Sequence, residues 1–417
     1  MFYTKLIFYF YLFLTILSII SPVKFDFIAF LPGILLMWIY YTVFKRSSKT
    51  VYKSTNINVI NVSKKYNFSL IIITLFFLLF YPIYIEFYTG SNPKTVISAL
   101  NDGVSTYDLY QKNFADSNLS SFSIKKLPYI LGNGILRFLL IVSFFKIIIF
   151  RKKVFRHEYL CFSLMFLIIF FVGLGRGTSF ELFEIGTIII FALTAKRSYL
   201  GHKTLFSKST LIKLFVFIIL SASFFSYNIM SRYGDAIDFF DFENFDKSSV
   251  VYSISKPISL VLFNFYGYFL FGLHYTSVVI NELYLGSLNG FMSMFVPNGV
   301  SHLGIQESEG ILTPYQVIVS RFIKIDAMWQ PDAGRSIQHL GIVITFLIIF
   351  MFGQYSKMFY KKGKRNLSTL VLLYFIFYFF ISLPLGSFIS VSSANQLCIF
   401  IALICYKFNL FSKTLKS

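Results

Sequence analysis

Charge is scarce in this chain. Only 13% of its 417 residues are charged, against about 25% in a soluble domain, while 56% are hydrophobic. That balance excludes a globular enzyme built around one core. Acid is scarcer than base: 18 carboxylates stand against 38 lysines and arginines, a formal charge of +20. Cysteine is limited to Cys161, Cys398 and Cys405, all within apolar runs and no two at ligand spacing. His157, His202, His274, His302 and His339 are scattered, so no zinc or iron–sulfur pattern can be assembled, and no metal is expected. Neither a phosphate-loop nor a dinucleotide-binding glycine pattern occurs, and no cofactor is expected.

What the chain does have is a succession of long apolar runs. A helix that crosses a bilayer needs about 20 mostly apolar residues. Such runs occupy 2–20, 25–44, 68–88, 127–150, 159–173, 179–195, 211–230, 257–296, 339–353, 367–385 and 394–408. They predict an all-α polytopic integral membrane protein, a single transmembrane domain over 1–417 with about 12 transmembrane helices. The opening run has Lys5 as its one charge and no small-residue cleavage pattern before Ser21-Pro22. It is read as a retained first helix and not as a signal peptide. Phenylalanine (55) and tyrosine (28) are abundant enough to serve as lipid-facing bulk and interfacial belt, so as a group they indicate no ligand.

Sidedness follows from the loop lysines and arginines. Lys45, Arg46, Lys49, Lys53, Lys64 and Lys65 share one acid-free loop. Arg151, Lys152, Lys153 and Arg156 form a second cluster, and Lys196, Arg197, Lys203 and Lys208 a third. Lys357, Lys361, Lys362, Lys364 and Arg365 form a fourth, and Lys407, Lys413 and Lys416 lie in the tail. These segments, with both chain ends, are expected on the cytoplasmic side. The positive charge then reads as an insertion signal and an attraction to anionic headgroups, not as a nucleic-acid footprint. The acids fall elsewhere: Asp102, Asp108 and Asp116 in 89–126; Asp235, Asp238, Asp241, Glu243 and Asp246 in 231–256; Glu307, Glu309, Asp326 and Asp332 in 298–338. These three segments are expected to be long outer loops. Because 231–256 and 298–338 then share a side, 257–296 must cross an even number of times. About 40 residues suffice for two short helices, so a hairpin or re-entrant pair is expected there.

Ionisable groups inside apolar stretches are costly and mark functional sites by default. The clearest case is the junction Gly173-Leu174-Gly175-Arg176-Gly177-Thr178-Ser179-Phe180-Glu181, with Glu184 close behind. A polar turn between helices accounts for the glycines. It does not account for an arginine and two acids at that depth. Arg137 lies about ten residues into its run, where a charge needs a partner or water. Arg232, Arg321 and Arg335 stand among the acids of the outer loops. Each has a plain reading as an interfacial anchor or loop ion pair. Their functional reading is a grip on an anionic group, because guanidinium presents a planar fork of donors to phosphate oxygens. Segment 298–338 adds His302 and Trp329 among several amides, and His339 follows directly. Rings stack on sugar faces, amides bond hydroxyls, and histidine can serve as a general base. An interfacial tryptophan and a capping histidine are the ordinary alternatives.

The size, the span count, the large outer loops and the junction around Arg176 resemble a Wzy-type O-antigen polymerase. The likeness covers the whole chain in architecture and 173–184 closely in sequence. It implies a multi-pass protein of the bacterial inner membrane, with 89–126, 231–256 and 298–338 as periplasmic loops. It also implies a membrane glycosyltransferase that polymerises undecaprenyl-diphosphate-linked oligosaccharide repeat units. The lipid diphosphate would be the leaving group. Within that reading Arg176, Glu181, Arg335 and Arg321 are the candidate catalytic residues. Arg232, Arg137, His302, Trp329 and His339 are the candidate substrate-binding residues. The partners implied are the lipid-linked oligosaccharide and membrane lipid, with a chain-length regulator protein as a candidate; nucleic acid is not among them. An O-antigen ligase shares donor and architecture, and a lipid-linked oligosaccharide flippase shares length and span count. A flippase calls for charges facing a central cavity through many spans, whereas here they gather at the outer ends.

Overall fold

A computed structural model of the chain describes residues 2–24, 30–49, 64–90, 109–110, 112–113, 126–149, 154–176, 180–202, 204–233, 245–281, 331–363, 367–386, 388–389 and 392–408. Among these residues the protein is helical throughout, apart from turns and one isolated antiparallel bridge, Val23 to Phe245. In chain order the helices are α1 Phe2–Ile20, α2 Leu31–Ser47, α3 Lys64–Thr89, α4 Leu127–Ile149, α5 Arg156–Gly175, α6 Phe180–Tyr199 and α7 Lys208–Tyr233. They continue with α8 Val250–Ile254, α9 Lys256–Phe265, α10 Phe271–Asn281, α11 Asp332–Gly363, α12 Leu367–Leu385 and α13 Ser393–Lys407. Six contain stretches long and apolar enough to cross a membrane: α1, Leu70–Phe87 of α3, α4, α5, Leu340–Tyr360 of α11, and α12. The sequence predicts about twice that number. Part of the difference is length, since α2 and α13 have 17 and 15 residues where a span needs about 20. Part is charge, since α6 carries Glu181, Glu184, Lys196 and Arg197.

Local signals set several helix ends. Two of the predicted runs, 2–20 and 367–385, coincide with α1 and α12. The first ends just before Ser21-Pro22, since proline cannot extend a helix ladder, whereas Pro384 lies inside the last turn of the second. Pro32 opens α2, where a missing N–H costs nothing. Glu158 in the first turn of α5 accepts the Phe155 backbone N–H at 3.2 Å, and the Ser392 hydroxyl caps α13 by accepting from Asn395 N–H at 3.3 Å.

The bundle is organised around α12. All 19 of its residues are buried, and it packs against α1, α4, α6, α10, α11 and α13. The other helices expose broad apolar faces, such as Leu75, Phe76 and Leu79 on α3 and Leu211, Ile212 and Phe215 on α7. In a bilayer those faces meet lipid.

Side-chain contacts define two ends. At one, Phe2 meets Tyr199 with ring centroids 6.5 Å apart, Tyr3 and Tyr199 meet Tyr360 at 6.2 and 6.4 Å, and Phe359 meets Tyr406 at 5.6 Å. These contacts join the start of α1 to the ends of α6, α11 and α13. Lys196, Arg197, Lys357 and Lys407 therefore gather at one end, with Lys45 and Arg46 in the last turn of α2. At the opposite end Ser382, near the close of α12, donates to Asp332 Oδ2 at 2.6 Å, and Phe30 packs on His274 at 5.6 Å. The clustering of basic helix ends expected from loop composition is thus a property of the packed bundle.

Two regions bear on the expectation. Over 257–296 a hairpin or re-entrant pair is predicted. In the structure α9, a π-helical turn at Tyr266–Leu270 and α10 follow one another without reversal, up to 281. Residues 282–296 lie outside the described residues. This run meets α2, α11 and α12 at the end away from the lysines, where Gly33 N–H donates to Ser277 Oγ at 2.9 Å and Gly272 lies against Pro384. The second region is α11, which begins inside the predicted outer loop 298–338. Gly341, at φ 77° and ψ 163°, divides it into two helices. A side chain rarely tolerates that backbone region, so glycine is required there. The shorter piece, 332–340, carries Asp332, Arg335 and His339; the longer one provides the apolar stretch.

Candidate functional site

The Arg176 junction is held by three interactions. Arg176 is the residue that ends α5, and Glu181 stands in the first turn of α6. A cation at a helix C-terminus and an anion at a helix N-terminus each complement the backbone dipole. The two meet directly: Arg176 Nη1 donates to Glu181 Oε1 at 2.6 Å. The spacing of five does not prevent this, because the helix breaks between them. On its other side Arg176 Nη2 donates to the Tyr110 hydroxyl at 3.2 Å, with the guanidinium carbon 5.0 Å from the Tyr110 ring centroid. That is a cation–π contact. Burial alone would lower the Arg176 pKa, but Glu181 and Tyr110 outweigh it and push it further above its ordinary value. The motif's first glycine has a spatial role. A Cβ at Gly173 would stand 3.0 Å from Glu181 Oε2 and 3.2 Å from its Cβ, in the space the carboxylate occupies.

A second cluster adjoins the first. Arg137, in the middle of α4, donates through Nη1 to Glu184 Oε1 at 2.7 Å and to Asn395 Oδ1 at 2.8 Å. Asn395 donates in turn to Phe388 O at 2.8 Å, which fixes its amide and ties the α12–α13 connection to the site. Glu181 and Glu184 are three residues apart and share one face of α6, so the two arginines are gripped from a single helix. Thr187, one turn further on, donates to Glu184 O at 2.7 Å and bonds the Tyr374 hydroxyl at 2.9 Å. Tyr378, a turn along α12, lies within electrostatic range of Glu184, Arg137 and Asp332. Its buried hydroxyl has no hydrogen-bond partner among the described residues.

No family model, curated protein or solved structure matches this chain. The site is therefore read from its own chemistry.

Exposure separates the two clusters. Arg137 and Glu184 have side chains 10% and 6% exposed. Arg176 is 19% exposed above a Glu181 that is only 4% exposed. Arg176 is thus the accessible rim of an ionic network whose floor is closed. The sequence places Arg137 among substrate-binding arginines; in the structure it holds Glu184 and Asn395. Arg335 sits half-buried in the first turn of α11, in electrostatic range of Tyr275 and three residues from Asp332. Arg232 falls in the last turn of α7 and His339 in α11, just before Gly341. Arg321, His302 and Trp329 lie outside the described residues.

Several participants escape a reading of the sequence alone. Tyr110 and Asn395 reach the arginines across 66 and 258 positions. Asn395 had a signal available: an amide in the first turn of an apolar helix is costly to bury without a partner. Another buried pair was equally hidden. Lys146 of α4 bonds Glu158 of α5, with side chains 4% and 3% exposed, at the lysine-rich end.

Proposed function

We propose that this protein polymerises undecaprenyl-diphosphate-linked oligosaccharide repeat units at the periplasmic face of the bacterial inner membrane. The observation that carries the reading is Arg176: a guanidinium held by Glu181 and Tyr110, partly exposed, at the bundle end away from the basic loops. In the reaction, a hydroxyl at the non-reducing end of one lipid-linked unit attacks the anomeric carbon of the growing chain. The bond from that carbon to the carrier's diphosphate breaks, and the diphosphate leaves with the electron pair. Arg176 neutralises charge developing on the leaving group, which is where a preoriented cation contributes most. Glu181 sets the direction of the Arg176 fork. Arg137, Glu184 and Asn395 keep α4, α6 and α13 in the register that holds it. The acceptor proton passes to a base, for which the chain offers Glu181, His302 and His339. Arg321, Arg335 and Arg232 are further anion contacts, and Trp329 a sugar-stacking surface. The donor already carries its leaving group, so the chemistry calls for no nucleotide site.

Arg176→Ala tests this. Cells with normal amounts of the variant in the membrane are expected to make lipid A–core bearing one repeat unit and no longer ladder on a gel. A normal ladder would remove Arg176 from the mechanism. Absence of even the single unit would indicate a flippase, and polymer retained on the carrier lipid would indicate a ligase.

A further inference from the structure

The lysine-rich end holds a cavity of about 240 Å³ that the proposed chemistry does not use. Phe2 and Lys5 of α1, Ser198 of α6 and Tyr360 of α11 line it, with His202 and Thr204 from the turn that follows α6. The turn is built to present those last two. Gly201, at φ +79°, lets His202 N–H return to Arg197 O at 3.0 Å and Gly201 N–H to Ser198 O at 3.1 Å. This paired closure is the usual way a helix ends on glycine. Arg197 then clamps Thr204, donating through Nε to its carbonyl at 3.1 Å and through Nη2 to its hydroxyl at 2.7 Å. Ser198 and Tyr360 bond across the far wall at 3.1 Å.

The chemistry of the lining is one-sided. It offers an ammonium, an imidazole and several hydroxyls, and none of its residues is acidic. Lys5 and His202 are both exposed residues. The volume lies below the roughly 300–1,000 Å³ of pockets that enclose drug-sized ligands, so it suits a compact anionic group and not a whole nucleotide. The surroundings indicate what carries that group. Leu200, at the tip of the same turn, is 61% exposed, and Leu211 and Ile212 of α7 are 52% and 66% exposed. A basic recess beside exposed leucines, at the end of a bundle with lipid-facing helices, matches a headgroup with its acyl chains.

We propose that this cavity binds the phosphate of an anionic phospholipid headgroup in the leaflet at the lysine-rich end. Lys5 and His202 contact the phosphate, the Thr204 hydroxyl donates to it, and the acyl chains lie along Leu200 and α7. The site is independent of the Arg176 network and of the activity proposed for it.

The test uses the full chain, delipidated in detergent, with lipid binding read by native mass spectrometry and by shifts in melting temperature. Phosphatidylglycerol, phosphatidylcholine and inorganic phosphate are the three probes. Phosphatidylglycerol is expected to bind about five-fold more tightly than phosphatidylcholine, because a lysine near an anionic headgroup contributes about five-fold. Lys5→Gln combined with His202→Gln is expected to erase that preference, while Lys5→Arg retains it. Equal binding of the two lipids, or a preference that survives the double substitution, would overturn the proposal. Protection by inorganic phosphate equal to that by phosphatidylglycerol would overturn the lipid assignment and leave a free-anion site.

Discussion

Helix α4 carries two buried cations, and their surroundings differ. Lys146, near its end, bonds Glu158 only 12 positions away, and Glu158 also closes the first turn of α5. The contact staples two consecutive helices across a short connection, with both side chains almost fully enclosed. Arg137, nine positions earlier, bonds Glu184 and Asn395 from helices far apart in the chain, and its acidic partner shares a face with the one holding Arg176. Enclosure alone does not distinguish them. Connectivity does: one pair joins consecutive helices, and the other lies beside the ion pair that holds an accessible guanidinium.

Substitutions can break this comparison, and the largest effects come from stranding a charge. Glu184→Leu leaves the Arg137 cation enclosed without its carboxylate, and Glu158→Leu does the same to Lys146. Each is expected to cost about 3–5 kcal/mol, seen as a large fall in detergent melting temperature. The double substitutions should then separate the sites. Lys146→Met with Glu158→Leu is expected to recover stability and keep the polysaccharide ladder, since apolar replacement of a whole buried pair is often neutral. Arg137→Met with Glu184→Leu is expected to recover stability and still lose the ladder. Retention of the ladder there would make the two pairs equivalent and dissolve the distinction.

Smaller changes sharpen it. Arg176→Lys keeps the charge but loses the planar fork, and chain lengthening is expected to fall by an amount corresponding to about 1.5–3 kcal/mol, read from initial rates in membranes. Gly173→Ala places a methyl group against the Glu181 side chain, for an expected loss of about 1–3 kcal/mol in melting experiments. Tyr110→Phe removes the hydroxyl bonded to Arg176 but keeps the ring beneath it. Its expected effect on rate is the smallest, about 0.5–1.5 kcal/mol.

How much of this was legible depends on the range of the interaction. α1 and α12 were legible because each is one continuous apolar run, the first ending just before Pro22. The convergence of basic helix ends was legible because alternating crossings carry every second connection to the same side. Arg176 and its two acids stood out because the chain concentrates them at one junction. Their pairing did not, because a helical spacing rule fails where the helix itself ends. Lys146 and Glu158 were hidden among the basic residues at 151–156, where a further lysine adds no contrast. Tyr110 and Asn395 depend on tertiary approach. The break at Gly341 was equally opaque, since glycine in an apolar helix often has no consequence and only the positive φ reveals one.

One feature of the fold bears on how the protein meets membranes of different thickness. Helix α12 is strongly apolar, yet its neighbours screen it from the bilayer along its whole length. Hydrophobic mismatch acts through lipid contact, by tilting or thinning where a hydrocarbon surface and a helix surface disagree. The central helix offers no such surface. Its length answers to the ring around it, so a thicker or thinner membrane would tilt the outer helices about a fixed axle. Arg137, Glu184 and Asn395, which face that axle, would feel the change last.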